Sequence, residues 1–389
     1  MPRWARGWRA PGLLLALGAT LACAGGGPPR GAPPAKGPAA IGAPPAVEVV
    51  GRAWLPSGLS LDGVLVGGLS GIAYDAAADL YLAVSDDPGE RGPPRFYTLR
   101  IPIVDGRLEA PGVEVTGWQA LLGSGGGRLP GVGADLEGIA LAGDGTLYVA
   151  SEGDARVLVA PFLARHRRDG LRVELLQLPA AFLPDGAGRG VRFNMALESV
   201  TLSPDERWLY TATEGPLEQD GAEAAVGRAA WCRILEIDLT TGARREIAYR
   251  VDPVHAWPPV PGSLRVSGLV ELLALERGEL LALERSFAMG AGFAIKLYRV
   301  SLGGADDVSA VASLATAPQP RPAAKRLLLD LGAAGVPLDN LEGMTFGPRL
   351  PDGRRSLVLV SDDNFDPEQT AQVVVLAVPD EALRPSPPG

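Results

Sequence analysis

The chain has 389 residues with 36 Lys and Arg, 45 Asp and Glu, and a net charge of −9. Hydrophobic residues make up 47% and charged residues 21%, which calls for a packed globular body rather than a disordered chain. The acidic balance argues against a nucleic-acid partner, which needs a basic footprint.

The chain opens as a targeting segment. Arg3, Arg6 and Arg9 form a basic start, and Pro11 to Ala22 is apolar around Leu13-Leu14-Leu15-Ala16-Leu17. This reads as a signal peptide over 1–22, too short to span a bilayer comfortably. Thr20-Leu21-Ala22-Cys23 has the character of a bacterial lipobox, although Leu21 stands one residue late. The preferred expectation is lipidation at Cys23 and a place in the bacterial cell envelope, in the outer membrane of a Gram-negative host. Plain cleavage near Ala22 or Ala24, followed by secretion, is the alternative. Loss of residues 1–22 removes three arginines and no acids, so the mature charge falls from −9 to −12. Only Cys23 and Cys232 exist, so a lipidated Cys23 leaves Cys232 unpaired, to pack as a small apolar residue. Residues 23–45 are Gly, Pro and Ala with little to bury, and read as a tether.

The folded body is expected over 46–380, with a Pro-rich tail at 381–389. From Val47 onward the pattern is one of short strands separated by turns. The first group is Gly71 to Tyr74, Leu80 to Ser85, Arg95 to Ile101 and Val113 to Trp118. The second is Gly138 to Leu141, an Asp144-Gly145 turn, Leu147 to Ala150 and Val157 to Pro161. The third is Ser199 to Leu202, Trp208 to Thr213 and Cys232 to Asp238. The fourth is Leu269 to Leu275, Leu280 to Leu283 and Ile295 to Ser301. The last is Met344 to Phe346, Ser356 to Ser361 and Val373 to Val378.

These groups share a repeat. Leu69-Ser70-Gly71 leads to Ser85-Asp86-Asp87, Leu136-Glu137-Gly138 to Ser151-Glu152, Leu197-Glu198-Ser199 to Thr213-Glu214, and Leu341-Glu342-Gly343 to Ser361-Asp362-Asp363. A weaker copy sets Leu269-Val270-Glu271 before Leu283-Glu284-Arg285. Recurrence at a near-fixed period marks a repeat architecture. The expected fold is all-β, a β-propeller of five or six blades with mostly four antiparallel strands each. Spacings of 61 to 73 residues leave room for a sixth blade between Lys296 and Asp339, where Lys325 to Asp330 is a possible strand. The strand around Val49 is expected to complete the last blade and close the ring.

In a propeller the first strand of each blade lines the central channel, so equivalent positions converge. That places Glu137, Glu198 and Glu342 at one mouth, with Asp86, Asp87, Glu152, Glu214, Glu284, Asp362 and Asp363 near it. So many carboxylates need compensation. An oxygen-loving cation such as calcium would supply it, and so would Arg95, Arg285, Lys296 and Lys325. Acids at strand ends also serve as turn and blade latches, and that role is open for each of them singly. Two histidines, His166 and His255, exclude a three-histidine zinc site, and both are expected in loops. There is no Gly-x-Ser-x-Gly elbow, and the Gly123 to Gly127 run lacks the helix and Lys-Ser/Thr of a phosphate cradle.

The segments Leu69 to Ile72 with Ser85-Asp86-Asp87, Asp135-Leu136-Glu137-Gly138-Ile139, Asn194-x-x-Leu197-Glu198, Thr213-Glu214-Gly215, Leu283-Glu284-Arg285, Asp339-Asn340-Leu341-Glu342-Gly343 and Ser361 to Phe365 occur in that order. The ordered set resembles the bacterial phytase-like, or "esterase-like activity of phytase", family over roughly Gly68 to Val378. Ser199, where the family prefers Gly, and the weak fourth copy are its departures. The resemblance implies a secreted or lipid-anchored propeller that hydrolyses phosphoesters or other esters. True propeller phytases hold calcium in an acidic mouth where activated water attacks phosphate, and the acids here are compatible with that logic. On this reading Glu137, Glu198, Glu342 and Arg285 carry the chemistry. Arg95, Lys296, Lys325 and Asn340 meet an anionic substrate, and Asp86, Asp87, Glu152, Glu214, Glu284, Asp362 and Asp363 hold the cation. A monomer acting on a small anionic ester is expected, attached to the membrane only by its lipid. A calcium-stabilised binding module and a lactonase-like sugar-acid hydrolase are the rival expectations, and fold alone does not choose among them.

Overall fold

Runs such as Gln372–Val378, with every residue buried, and Trp208–Thr213, likewise, are too apolar for a sheet with one wet face. They belong between two layers, and the computed structural model puts them there. It describes residues 47–129, 134–316 and 318–384. The signal peptide, the tether, Cys23 and most of the Pro-rich tail lie outside the described residues.

Five four-stranded antiparallel sheets follow one another along the chain. The first blade is Leu69–Asp75, Leu80–Ser85, Arg95–Arg100 and Glu114–Ala120. The second is Leu136–Leu141, Leu147–Ser151, Phe162–His166 and Arg172–Leu176. The third is Leu197–Leu202, Trp208–Thr213, Ala230–Asp238 and Arg244–Val251. The fourth is Arg265–Glu276, Glu279–Ala288, Gly292–Ser301 and Ala324–Asp330. The fifth is Leu341–Arg349, Arg355–Ser361 and Gln372–Val378, completed by Glu48–Trp54 from the start of the body. Glu48 pairs with Ala377 and Trp54 with Gln372, so the first strand of the chain caps the last blade. That pairing closes the ring and leaves no unpaired edge on Gln372–Val378.

The blade count is therefore five. Lys325 to Asp330 opens no sixth blade; it is the outer strand of the fourth, paired through Lys296–Asp330 and Ser301–Ala324. Further sequence expectations change. Val157 to Pro161 is not a strand: Ala155–Val157 is a single 3₁₀ turn, capped by Asp154 and ended by Leu158 in the left-handed region. The third strand of that blade follows it and ends on His166, which is buried rather than solvated, with Nδ1 2.9 Å from the Gly170 carbonyl. The body also runs slightly past its expected end, because one helical turn, Asp380–Leu383, docks through Arg299 Nε donating to the Leu383 carbonyl at 2.8 Å. It is the only α-helix among the described residues. Cys232 is buried and packs as expected, with its Sγ donating to the Glu214 carbonyl at 2.9 Å.

The first strands of the blades crowd together around the axis. At Gly138 a Cβ would come within 2.6 Å of the Val200 nitrogen, and at Gly343 within 2.0 Å of the Ser70 carbonyl oxygen. This close approach explains the Gly that follows the acid in the repeat.

Candidate functional site: an acidic mouth on the propeller axis

In a four-stranded blade the first strand starts, and the second strand ends, at the same face of the ring. Strand register then defines equivalent positions. Leu69 pairs with Ser85, Leu136 with Ser151, Leu197 with Thr213, Leu341 with Ser361, and Leu269 with Glu284. In the last four of these, one residue after the Leu bulges out of the ladder: Glu137, Glu198, Glu342 and, in the fourth blade, Val270. In the first blade Ser70 and Gly71 take that place. A bulge re-aims its side chain, and here it turns three glutamates toward the axis.

The residue after each Ser/Thr position closes a backbone bond to the residue before each Leu. Asp86 N–H donates to Gly68, Glu152 to Asp135, Glu214 to Ala196 and Asp362 to Asn340. In the fourth blade the matching residue is Arg285, paired with Gly268. The weak copy is thus shifted by one residue. Glu284 occupies the Ser/Thr position, Arg285 occupies the acid's position, and Glu271 stands where other blades have Gly138, Ser199 and Gly343.

The result is a ring of eight buried or half-buried carboxylates: Asp86, Asp135, Glu137, Glu152, Glu198, Glu214, Glu342 and Asp362. Asp135, Glu137 and Glu152 bring carboxylate oxygens within 4.8 Å of one another. Arg285 supplies the positive charge. It reaches Glu214 Oε1 at 2.7 Å, Asn340 Oδ1 at 2.6 Å, and Glu342. Asn340 donates in turn to Asp362 Oδ2 at 3.1 Å, and Ser70 Oγ donates to Glu342 at 3.4 Å. Burial works against the Arg285 charge, yet Glu342, Glu214 and Glu198 hold its pKa above the ordinary value.

The carboxyls respond to crowding. Burial pushes Glu137 well up, and Asp135, Glu152 and Asp86 push it further. Burial, then Glu137 and Glu152, does the same to Glu198. Asp86 is raised by burial and then by Asp135 and Glu342, Asp135 by burial and then Glu152, and Asp362 by burial and then Asp86. Burial raises Glu152 to about 7, opposed by its hydrogen bond with Glu198 and by the Ala196 N–H at 2.6 Å. Glu214 and Glu342 are raised less, because Arg285 opposes burial. Carboxyls in this state share protons or take up a cation. One detail favours the cation: Asp86 Oδ1 is buried and has no hydrogen-bond partner. Carboxylate oxygens alone suit a hard divalent ion such as calcium.

The other sequence candidates are taken up elsewhere. Asp87 and Arg95 form a fully buried ion pair at 2.9 Å, and Asp87 also accepts from the Glu90 N–H at 2.8 Å. Asp363 latches the fifth blade to the first, accepting from Gly68 N–H at 2.8 Å and Phe365 N–H at 3.1 Å. Glu284 lies on the opposite face of its strand from Arg285. It accepts from Tyr249 at 2.6 Å and from Lys325, in a network where Lys325 and Lys296 also meet Asp252 at 2.8 and 3.2 Å. Asp135 was absent from the expected ligand set. Its signal was the Asp/Asn before Leu-Glu-Gly, shared by Asp135 and Asn340.

The far end of the channel is different. Ile72, Ile139, Val200, Leu272 and Met344 line a cavity of about 120 Å³ whose one charged-type group is Glu271. Burial drives the Glu271 carboxyl well up, and it accepts from the Leu272 N–H at 2.9 Å.

Sheet order and site together define a five-bladed propeller with an acidic axial mouth. The chain belongs to the phytase-like family described as "esterase-like activity of phytase", whose profile matches residues 64–365. A secreted protein of Arthroderma benhamiae, of uncharacterised activity, is 25% identical over 210 residues, which cover 46% of this chain and 39% of that protein. Among solved structures, an endo-arabinase from Bacteroides thetaiotaomicron is 12% identical with a TM-score of 0.44, covering 83% of this chain and 96% of its own. A hypothetical protein from Leishmania major is 10% identical with a TM-score of 0.38, covering 84% and 91%. Among the described residues no helix is long and apolar enough to cross a membrane.

Proposed function

We propose that the chain is an extracytoplasmic, calcium-dependent hydrolase of ester bonds, phosphoesters foremost, acting at the acidic mouth. The observation that carries this reading is the ring of carboxylates with Arg285 as its single arginine and the unpartnered Asp86 oxygen facing the same crowd. Asp135, Glu137 and Glu152 would hold the cation, with Asp86 and Asp362 beside them. When bound, calcium supplies charge compensation to these acids and Lewis-acid polarisation to an ester oxygen.

The remaining roles belong to the chain. Glu198, bonded to Glu152, takes a proton from the attacking water. Arg285 holds Glu342 and Glu214 in place and offsets the charge of an anionic ester drawn to the mouth. Membership in the phytase-like family supports ester chemistry. The basic and apolar start of the chain supports export, with Cys23 as the point of lipid attachment and a monomeric body beyond it.

The purified protein should hydrolyse bis-p-nitrophenyl phosphate with calcium and lose that activity in chelator. Glu198→Gln should lower turnover by about 10²-fold or more with the fold intact, as expected for loss of a general base. Calcium binding with no turnover on phosphoesters or lactones would leave a binding module instead.

A further inference from the structure

The second strand of the fourth blade runs past the mouth, from Arg285 to Ala288, and carries a group that the acidic site does not use. Ser286 Oγ lies 2.9 Å from His255 Nδ1. The same oxygen accepts from the His255 backbone N–H at 3.1 Å and donates to the Val266 carbonyl at 3.3 Å. These contacts fix the hydroxyl in place; Ser286 is 7% exposed, while His255 stands in an exposed loop. The 2.9 Å contact takes the Ser286 proton in the tautomer that leaves the Nδ1 lone pair free. A hydroxyl and a base within hydrogen-bond reach are the pair from which an activated nucleophile is built.

The surroundings fit an ester. Trp257, two residues beyond His255, is 65% exposed, and Met289, three beyond Ser286, is 45% exposed. Met289 N–H donates to the Leu264 carbonyl at 2.9 Å, which ties the hairpin tip to the loop that carries His255 and Trp257. Burial, and then the charge of Lys296, lower the His255 pKa and so favour the neutral imidazole. Nothing in this group depends on the carboxylate ring, since Ser286 points to the opposite face of its strand from Arg285.

We infer that Ser286 and His255 form a second, metal-independent hydrolytic centre for small neutral carboxylic esters with an apolar acyl or aryl part. Ser286 Oγ bonds to the ester carbonyl carbon while its proton passes to His255 Nδ1. The C–O bond to the alcohol breaks and the departing alkoxide takes that proton. Water then attacks the acyl-serine and gives a proton to Nδ1. The Oγ–acyl bond breaks, the free acid leaves, and Ser286 recovers its proton from His255.

The test is covalent labelling of the full chain with a fluorophosphonate in excess chelator, read by peptide mass spectrometry. The expected adduct is on Ser286. His255→Ala should slow its formation by about 10²-fold, the ordinary contribution of a positioned base. Hydrolysis of p-nitrophenyl butyrate should fall by a similar factor in Ser286→Ala and His255→Ala, unchanged by chelator. In Ser286→Cys, which keeps the shape of the site, iodoacetamide should alkylate position 286 faster with His255 than without it. Wild-type protein that takes up no label at Ser286, or a labelling rate unchanged in His255→Ala, overturns the inference. So does labelling that vanishes in chelator while the fold persists. Because chelator is present throughout, failure here and failure of the calcium-dependent reading appear in separate measurements.

Discussion

The second and fourth blades are built alike, yet they bring opposite charge to the axis. In the second, Glu137 sits on the bulge and Glu152 follows Ser151. In the fourth, Val270 sits on the bulge and Arg285 follows Glu284. The backbone does the same thing in both, so the difference is purely one of side chains at matched positions. The first, second, third and fifth blades contribute between one and three axial acids each, and the fourth contributes the counterion. A ring of five acidic blades would concentrate like charge in a poorly solvated channel with no built-in relief. One exceptional blade supplies a built-in counterion while leaving a surplus of carboxyls that could hold a cation.

Removing the exception should have the largest effect. Arg285→Met leaves Glu214 and Glu342 buried without their partner, and breaking a buried ion pair on one side costs about 3–5 kcal/mol. Urea unfolding at pH 7 in chelator measures it. The loss should shrink at pH 5, where the two carboxyls protonate more readily. A loss under about 1 kcal/mol, the size typical of exposed pairs, would show that Arg285 is not the counterion.

The next effect concerns the acids as a group. Their folded-state pKa values lie above the unfolded ones, so the folded protein holds more protons at intermediate pH. That contribution is fully present below the ordinary carboxyl range and is lost as pH rises through the folded values, with Glu152 passing through about 7. In chelator, Tm should therefore fall between pH 5 and pH 8. Calcium should flatten the fall, adding about 2.7 kcal/mol at a hundred times its Kd. A Tm that rises over that range in chelator contradicts the crowding.

The smallest effect separates the two glutamates that a count of spacings treats as equals. Glu137→Gln should raise Tm in chelator and blunt the gain from calcium. Glu271→Gln, at the apolar end of the channel, should leave the calcium gain unchanged and shift stability less than Glu137→Gln does, since burial alone raises its carboxyl and the amide keeps its shape. Equal loss of the calcium response in both would merge the two ends of the channel into one site.

Much of this architecture is legible in the chain itself. Alternation of short apolar runs and turns, with Leu-Glu-Gly recurring, is enough for a closed ring of antiparallel blades, for Val49 as the closing strand, and for Glu137, Glu198 and Glu342 at one mouth. Those features are local: a bulge, a turn and a buried face each leave a mark within a few residues. Three decisions needed the tertiary structure. The one-residue offset in the fourth blade changes which of Glu284 and Arg285 faces the axis, because a strand's side-chain period is two and a slip of one reverses every face. Asp135 joins Glu137 and Glu152 through the backbone bond between first and second strands, which no spacing along the chain reports. Asp87, Asp363 and Glu284 carry the same carboxylate as their neighbours, yet Arg95, the Gly68 N–H and Lys325 claim them, and those partners come together only when separate segments of the chain fold side by side.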